Sequence, residues 1–221
     1  MRQFYRWLFY LAGLFILALG LTLNTKTGLG VTPIISVPYS IAQVFGFNFG
    51  DATLAAYCLF VAIQFLLKGK PVRWADLLQL PLSLVFTRVL NLLDGAVPAA
   101  PQGMPARLCL LAAAILCTGV GAAMSVDMKL VPNPGDGIVA AIAQRTGREL
   151  GFTKNWFDTA NVGITLVFGL VMGHPLCGIG LGTVLAMLGV GRVMALFNRL
   201  CLPAMGRLAF VPAARGEGTA E

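Results

Sequence analysis

Apolar residues run along this chain in long blocks, with almost no polar positions inside them. Residues 4–23, 52–67 and 108–124 are close to unbroken. Each block approaches or reaches the ~20 residues that carry a helix across a ~30 Å hydrocarbon layer. Lipid offers no partner to an open backbone, so such runs predict helices. Read to its end, the pattern gives long helices at about 4–23, 52–68 and 74–94, with a short helix at 33–46. It then gives long helices at 106–124, 154–172 and 180–200, with a short one at 134–147. The predicted units are a first membrane repeat at 1–95, a Pro/Gly-rich linker at 96–105, a second repeat at 106–203 and a polar tail at 204–221.

The two sets of four helices are related. Displacing the chain by 101 residues brings Gly20 onto Gly121, Pro33 onto Pro134 and Gly50 onto Gly151. It also brings Ile41-Ala42-Gln43 onto Ile142-Ala143-Gln144. After a three-residue insertion the displacement is 104, and Gly69-Lys70-Pro71 meets Gly173-His174-Pro175 while Arg88 meets Arg192. Matches of Leu, Ala and Gly are cheap in such a chain, but Pro, Gln and Arg in one register point to duplication.

Topology depends on the short helices. Fourteen residues make ~21 Å of helix at 1.5 Å per residue, short of the ~30 Å layer. If they cross, and the N-terminus is cytoplasmic, nine basic residues lie inside and five outside. If they re-enter, twelve lie inside and only Lys26 and Arg107 outside. The excess of Lys and Arg on cytoplasmic loops favours the second arrangement. Three crossings per half invert the second half, so the expected fold is an all-α, polytopic membrane helix bundle with an inverted repeat. Each half would hold three long transmembrane helices and one short, re-entrant one, as transporters and channels do.

Composition narrows the function classes. Hydrophobic residues make up 57% of the 221 and charged residues 11%, with mean hydropathy +0.81. Soluble domains carry about 25% charged residues, so a soluble enzyme is excluded. The net charge of +7 sits mostly in short loops and termini, where topology explains it without nucleic acid. Five cysteines, an odd number with no C-x-x-C, indicate neither a disulfide framework nor a zinc site. The basic N-terminus could imitate a signal peptide, but its apolar run has a counterpart in the second half.

Candidate chemistry gathers where the short helices begin. Thr32 and Asn133 are expected N-caps, with Pro33 and Pro134 at the first helical position. A re-entrant helix would present its free N–H groups and positive dipole end deep in the membrane, a ready site for an anion or polar solute. A tight turn near the surface is the plainer alternative. Ser36, Ser40 and Gln43 share one helical face at i, i+4, i+7, and Gln144 repeats Gln43. Asp136 follows Pro134 by two residues, where a carboxylate caps the helix, holds a cation or carries a proton. Arg88 and Arg192 lie inside long helices, where a charge is costly and is paired, snorkels or serves a ligand. An arginine pair beside two helix N-termini would favour an anion. Lys154 and Asp158 read as a local i, i+4 salt bridge. His174 has no ligand cluster around it, so no metal is expected, nor any cofactor, and no nucleophile–base pair is visible.

These motifs are similar to a known group. Gly28-Leu-Gly-Val-Thr-Pro-Ile-Ile-Ser-Val-Pro-Tyr39, Leu77-Leu-Gln-Leu-Pro-Leu-Ser83, Pro134-Gly-Asp-Gly137, Lys154-x-x-Phe157-Asp158 and Gly180-x-Gly182-Thr183 resemble the YczE/YyaS/YitT family of bacterial integral membrane proteins, over residues 5–200. The resemblance implies a multi-pass protein of the bacterial inner membrane and makes Pro33, Ser36, Pro134, Asp136, Lys154 and Asp158 family-type positions. It implies no substrate.

The expected function is a transporter or channel for a small anionic or zwitterionic solute. Its binding residues are expected to be Thr32, Pro33, Ser36, Gln43, Asn133, Asp136, Gln144, Arg88 and Arg192. The expected partners are the lipid bilayer and that solute, with room for a homo-oligomer and with both termini cytoplasmic. The alternative is a non-transporting accessory or assembly protein that acts through a protein partner.

Overall fold

A computed structural model describes residues 2–68, 74–98 and 101–209. These form eight helices: α1 (Arg2–Thr25), α2 (Pro33–Phe45), α3 (Phe49–Lys68), α4 (Trp74–Ala96), α5 (Met104–Asp127), α6 (Pro134–Thr146), α7 (Leu150–Val171) and α8 (Leu181–Ala209). No strand occurs among the described residues. Five helices, α1, α3, α4, α5 and α8, are long and apolar enough to cross a membrane. At 22 residues α7 is long enough too, but Lys154, Asn155, Asp158 and Asn161 dilute its apolar run. Large apolar side chains stand exposed along the outer helices, among them Leu66 at 84% and Val171 at 74%. So much contiguous greasy surface suits lipid.

Capping sets both ends of the short helices. Thr32 and Asn133 adopt extended backbone before Pro33 and Pro134, and Gly46 and Gly147 close the other ends in left-handed conformation. The glycine N–H donates back to Ala42 O in one case and Ala143 O in the other, as a left-handed C-cap requires. Both helices have 13 residues, so each is ~20 Å long. Pro38 lies inside α2.

The bundle is organised on the crossing of α1 and α5. Gly13 lies against Met124 and Ser125, Leu17 against Gly121, and Gly20 against Thr118. As one number rises the other falls, so the two helices are antiparallel. Next to them, α4 runs parallel to α1, with Lys26 and Asp94 paired at their C-terminal ends at 2.8 Å. Likewise α8 runs parallel to α5, with Gly189 near Ile115 and Asn198 Nδ2 donating to Asp127 Oδ1 at 3.4 Å. The short helices pack across the halves. α2 lies along α7, with Ser36 and Thr165 hydroxyls 2.8 Å apart and Phe45 against Phe168. α6 lies along α3, with Gly137 on Gln64.

Predicted boundaries move at the linker, where α4 reaches Ala96 and α5 begins at Met104, and further at the C-terminal end. Helix α8 runs through Pro203 to Ala209, so residues 204–209, expected in the polar tail, are helical. They continue the helix because Met205 and Ala209 pack against Tyr10, Met124 and Met128. The rest of that tail, residues 210–221, and linker residues 99–100 lie outside the described residues, as do Lys70 and Arg73 of the charge count.

The α1–α5 crossing is the sensitive point. A Cβ on Gly121 would stand 2.3 Å from Leu17 N and 2.7 Å from Gly13 O, and neither backbone atom can rotate away. We expect Gly121→Ala to lower stability by about 1–3 kcal/mol, as overpacking does. Gly163→Ala meets nothing within 4 Å, so it should be neutral or raise stability by a few tenths of a kcal/mol. Thermal unfolding of both variants in detergent tests the difference, and equal midpoints would refute the crossing.

Candidate functional site

The first residues of α2 and α6 meet at one cavity of about 280 Å³. Thr32, Pro33 and Ile34 reach it from α2, and Asn133 and Asp136 from α6. Leu17 and Leu21 of α1 line it with Thr118 and Ala122 of α5. Both short helices therefore start beside the interior of α1 and α5, not beside their ends. Tyr57 of α3, the first part of α7 and the middle of α8 complete the walls.

The wall is mostly apolar, and its polar groups are grouped. Asp136, Lys154, Asn155 and Asp158 come from α6 and α7. Lys154 Nζ is 3.8 Å from Asp158 Oδ2. Asp158 is 6% exposed, and its Oδ1 is buried without a hydrogen-bond partner. The same holds for the hydroxyls of Thr32 and Thr118, both 5% exposed. Buried polar atoms in native proteins nearly always have partners. Three unpaired ones around one cavity mark it as built for something polar.

The two helix starts differ. Asn133 Oδ1 accepts from Gly135 N at 3.1 Å and caps α6. No side chain caps α2. Asp136 therefore is not the cap of α6: Asn133 takes that role, and the carboxylate lines the cavity. Elsewhere the opened backbone is closed by other elements. Gln64 Nε2 donates to Pro134 O at 3.2 Å and also bonds with Gln79. Val31 N donates to Gly178 O, and Gly182 N to Leu29 O. The second bond needs the glycines of Gly178-x-Gly180-x-Gly182, since a Cβ on Gly180 would stand 2.4 Å from Leu29 O.

Of the expected site residues, the structure brings together Thr32, Pro33, Asn133 and Asp136. Ser36 is buried just below, bonded to Pro33 O and Thr165. Gln43 and Gln144 are exposed on the last turns of α2 and α6. The stripe Ser36–Ser40–Gln43 holds only for its two serines: both are buried, while Gln43 is exposed. The arginine pair is corrected. Arg88 Nη2 binds Asp51 Oδ1 at 2.6 Å with both side chains about half exposed, and Arg192 is exposed on α8. Neither lines the cavity.

Sequence reasoning missed Thr118, Tyr57, Asn155 and the cavity role of Lys154 and Asp158. Thr118 had a signal, as the one hydroxyl in the apolar run 108–124. Lys154 and Asp158 do form the expected i, i+4 pair, yet they face inward.

The cavity occupies a gap that only one half has. α3 packs on α4, whereas α7 and α8 do not form a packed pair. Gly50 N donates to Asn91 Oδ1 at 2.8 Å, and Asp51 pairs with Arg88, tying α3 to α4. In the repeat register the corresponding pairs are Gly151 with Ala195 and Phe152 with Arg192. Neither can tie, and Lys154 and Asp158 of α7 face Met187 and Val190 of α8 across the opening.

The model of a family of unknown function, DUF6198, matches residues 4–199, and the chain belongs to this family. It is similar to the "Uncharacterized membrane protein YczE" of Bacillus subtilis (strain 168), at 28% identity over 182 residues, covering 81% of this chain and 79% of that protein. The family resemblance read from the motifs therefore stands, and with its apolar helices the chain is a multi-pass membrane protein. No solved structure matches it.

Because Arg88 sits in an exposed pair, Arg88→Ala should change stability by less than about 1 kcal/mol. Denaturant titration in detergent is the check, and a loss of several kcal/mol would put Arg88 back among the buried, essential charges.

Proposed function

We propose that this member of the DUF6198 family is a transporter for a small polar solute, built as an inverted repeat with two re-entrant helices. The observation that carries it is the meeting of two short-helix N-termini at one cavity beside the α1–α5 crossing. Several relations support the inverted arrangement. The antiparallel contact of α1 with its own repeat mate α5 requires an odd number of crossings between their starts. Lys26 pairs with Asp94, so α1 and α4 end on one side. α2 ends next to the start of α3, with Tyr39 against Phe49, and Gly50 binds Asn91 near the end of α4. So α2 begins within the bundle and returns to the side that α1 reached. α6 does the same on the other side, ending with Gln144 and Arg145 by Lys68, while Arg6 Nη2 donates to Met128 O at 2.6 Å. On this reading the inner-membrane location and cytoplasmic termini follow from the basic residues.

A site held between two related halves can open first to one side and then to the other if the halves rock against each other. The non-transporting accessory role remains the competing reading, and the buried, unpaired polar groups of the cavity wall favour transport over it.

Two labelling experiments in a cysteine-free background test the proposal. Cysteines at Asn48 and Arg148 should react with an impermeant thiol reagent from opposite sides of the membrane. Eight crossings would place both on one side. A cysteine at Thr32 should react from either side, in right-side-out and in inverted vesicles, as the cavity alternates. Labelling of Thr32 from one side alone would end the transport reading.

A further inference from the structure

We infer that the cavity binds a zwitterion carrying an ammonium group, a carboxylate and an apolar side group, of the α-amino acid class. The inference deepens the transport reading and rests on it for the site's biological use, though not for binding itself.

The argument starts from the groups left unsatisfied. Asp158 Oδ1 is a buried acceptor with no donor. Lys154 reaches only the other oxygen, at 3.8 Å, so the carboxylate has capacity for one more N–H. The Asp136 carboxylate lines the same cavity, within electrostatic reach of Lys154. Two carboxylates beside a single lysine make the α6–α7 wall of the cavity rich in acceptors, which suits an ammonium.

The wall formed by α1, α2 and α5 has the opposite character. α2 starts without a side-chain cap; Pro33 has no N–H and Ile35 N donates to Thr32 O, so the helix presents the Ile34 N–H and the positive end of its dipole. Beside it stand the hydroxyls of Thr32 and Thr118, both buried and unpaired. A carboxylate is the simple ligand that accepts from two hydroxyls and a helix N-terminus together.

Single charges fit poorly. An anion would face Asp136 and Asp158, and the arginines expected to draw it lie outside the cavity. A bare amine would leave the α2 terminus and both threonines unsatisfied. A zwitterion gives each set of groups a partner, its ammonium to the carboxylates and its carboxylate to the hydroxyls and the α2 N-terminus. The remaining wall, from Leu17, Leu21 and Ala122 to Met187, Val190 and Met194, is apolar and takes an aliphatic side group.

Calorimetry on the detergent-purified full chain, with leucine as the probe, tests the assignment. Leucine should bind, glycine more weakly, and isoamylamine and isocaproate, each lacking one charge, at least about tenfold more weakly. Asp158→Asn should weaken leucine by on the order of tenfold to a hundredfold, the range for a hydrogen bond to a charged group. Thr118→Val, a near-isosteric change, should weaken it less while leaving isoamylamine unaffected. Asp51→Asn, outside the cavity, should leave leucine affinity as it was. Failure of leucine, valine and methionine to bind the folded protein would overturn the assignment. So would isocaproate or isoamylamine binding as well as leucine. If leucine binds but Thr32 labels from one side only, the ligand assignment stands and transport falls. If Thr32 labels from both sides and no amino acid binds, transport stands and the assignment falls.

Discussion

Backbone polar groups shielded from water must find partners within the protein, and this chain opens its backbone twice inside a helix bundle. The opened segments are residues 26–32 and 128–133, each leading into a short helix. Much of the surrounding structure answers that demand. Thr27 Oγ1 donates to Asn24 O and accepts from Leu29 N. Gly178 and Gly182 clasp residues 29–31 from the start of α8. Gln64 covers Pro134 O from α3, and Arg6 covers Met128 O from α1. Gln64, Gln79 and Thr27 are held at 0–1% exposure, polar side chains that an apolar bundle would not otherwise bury. Among the side chains with buried atoms left unpaired, Thr32, Thr118 and Asp158 line the cavity, while Thr22, Asn24, Asp127 and Asn198 lie elsewhere in the bundle.

The second constraint is the closeness of α1 and α5. Lipid provides no hydrophobic drive between helices, so their association depends on backbone approach and van der Waals contact. Gly13, Gly20 and Gly121 permit that approach. It also fixes where the short helices begin. Leu17, Leu21, Thr118 and Ala122 lie next to those glycines and form the floor on which Thr32 and Asn133 meet. Moving the crossing by one turn would separate the two helix starts. The packing of α2 on α7 and α6 on α3 then locks each half into the other.

Much of this was legible in sequence because it depends on local chemistry. Thr32-Pro33 and Asn133-Pro134 announce helix starts, Gly46 and Gly147 helix ends, and the repeat register pairs the elements. The cavity's centre, Thr32 with Asn133, followed from those caps. What was not legible concerns which helix lies beside which. In runs of Leu, Ala and Gly, periodicity does not identify a neighbour, so the exchange of α2 and α6 between halves left no trace. Arg88 shows the same limit. Its partner Asp51 is 37 residues away on α3, beyond the reach of i, i+4 reasoning, so a paired surface arginine read as a buried one. Lys154 and Asp158 failed in the opposite sense, because a correct local pair gives no information on the face it presents.

The two halves share a backbone plan but not a chemistry. Thr32 and Asn133 occupy equivalent positions, yet only Asn133 caps its helix. Ile35 is packed in the core where Asp136 lines the cavity. Asn91 and Asp51 tie α3 to α4 where Ala195 and Phe152 leave α7 apart from α8. Each difference moves polarity toward the second half and space toward the α7–α8 gap. A duplicated pair of helix starts by itself would give a symmetric site with two positive ends and a preference for anions. Divergence at Asp136 and Asp158 puts carboxylates on the α6–α7 wall alone, and the zwitterion inferred above depends on that difference. On the reading proposed above, duplication places the cavity, and these few unmatched residues set what it distinguishes.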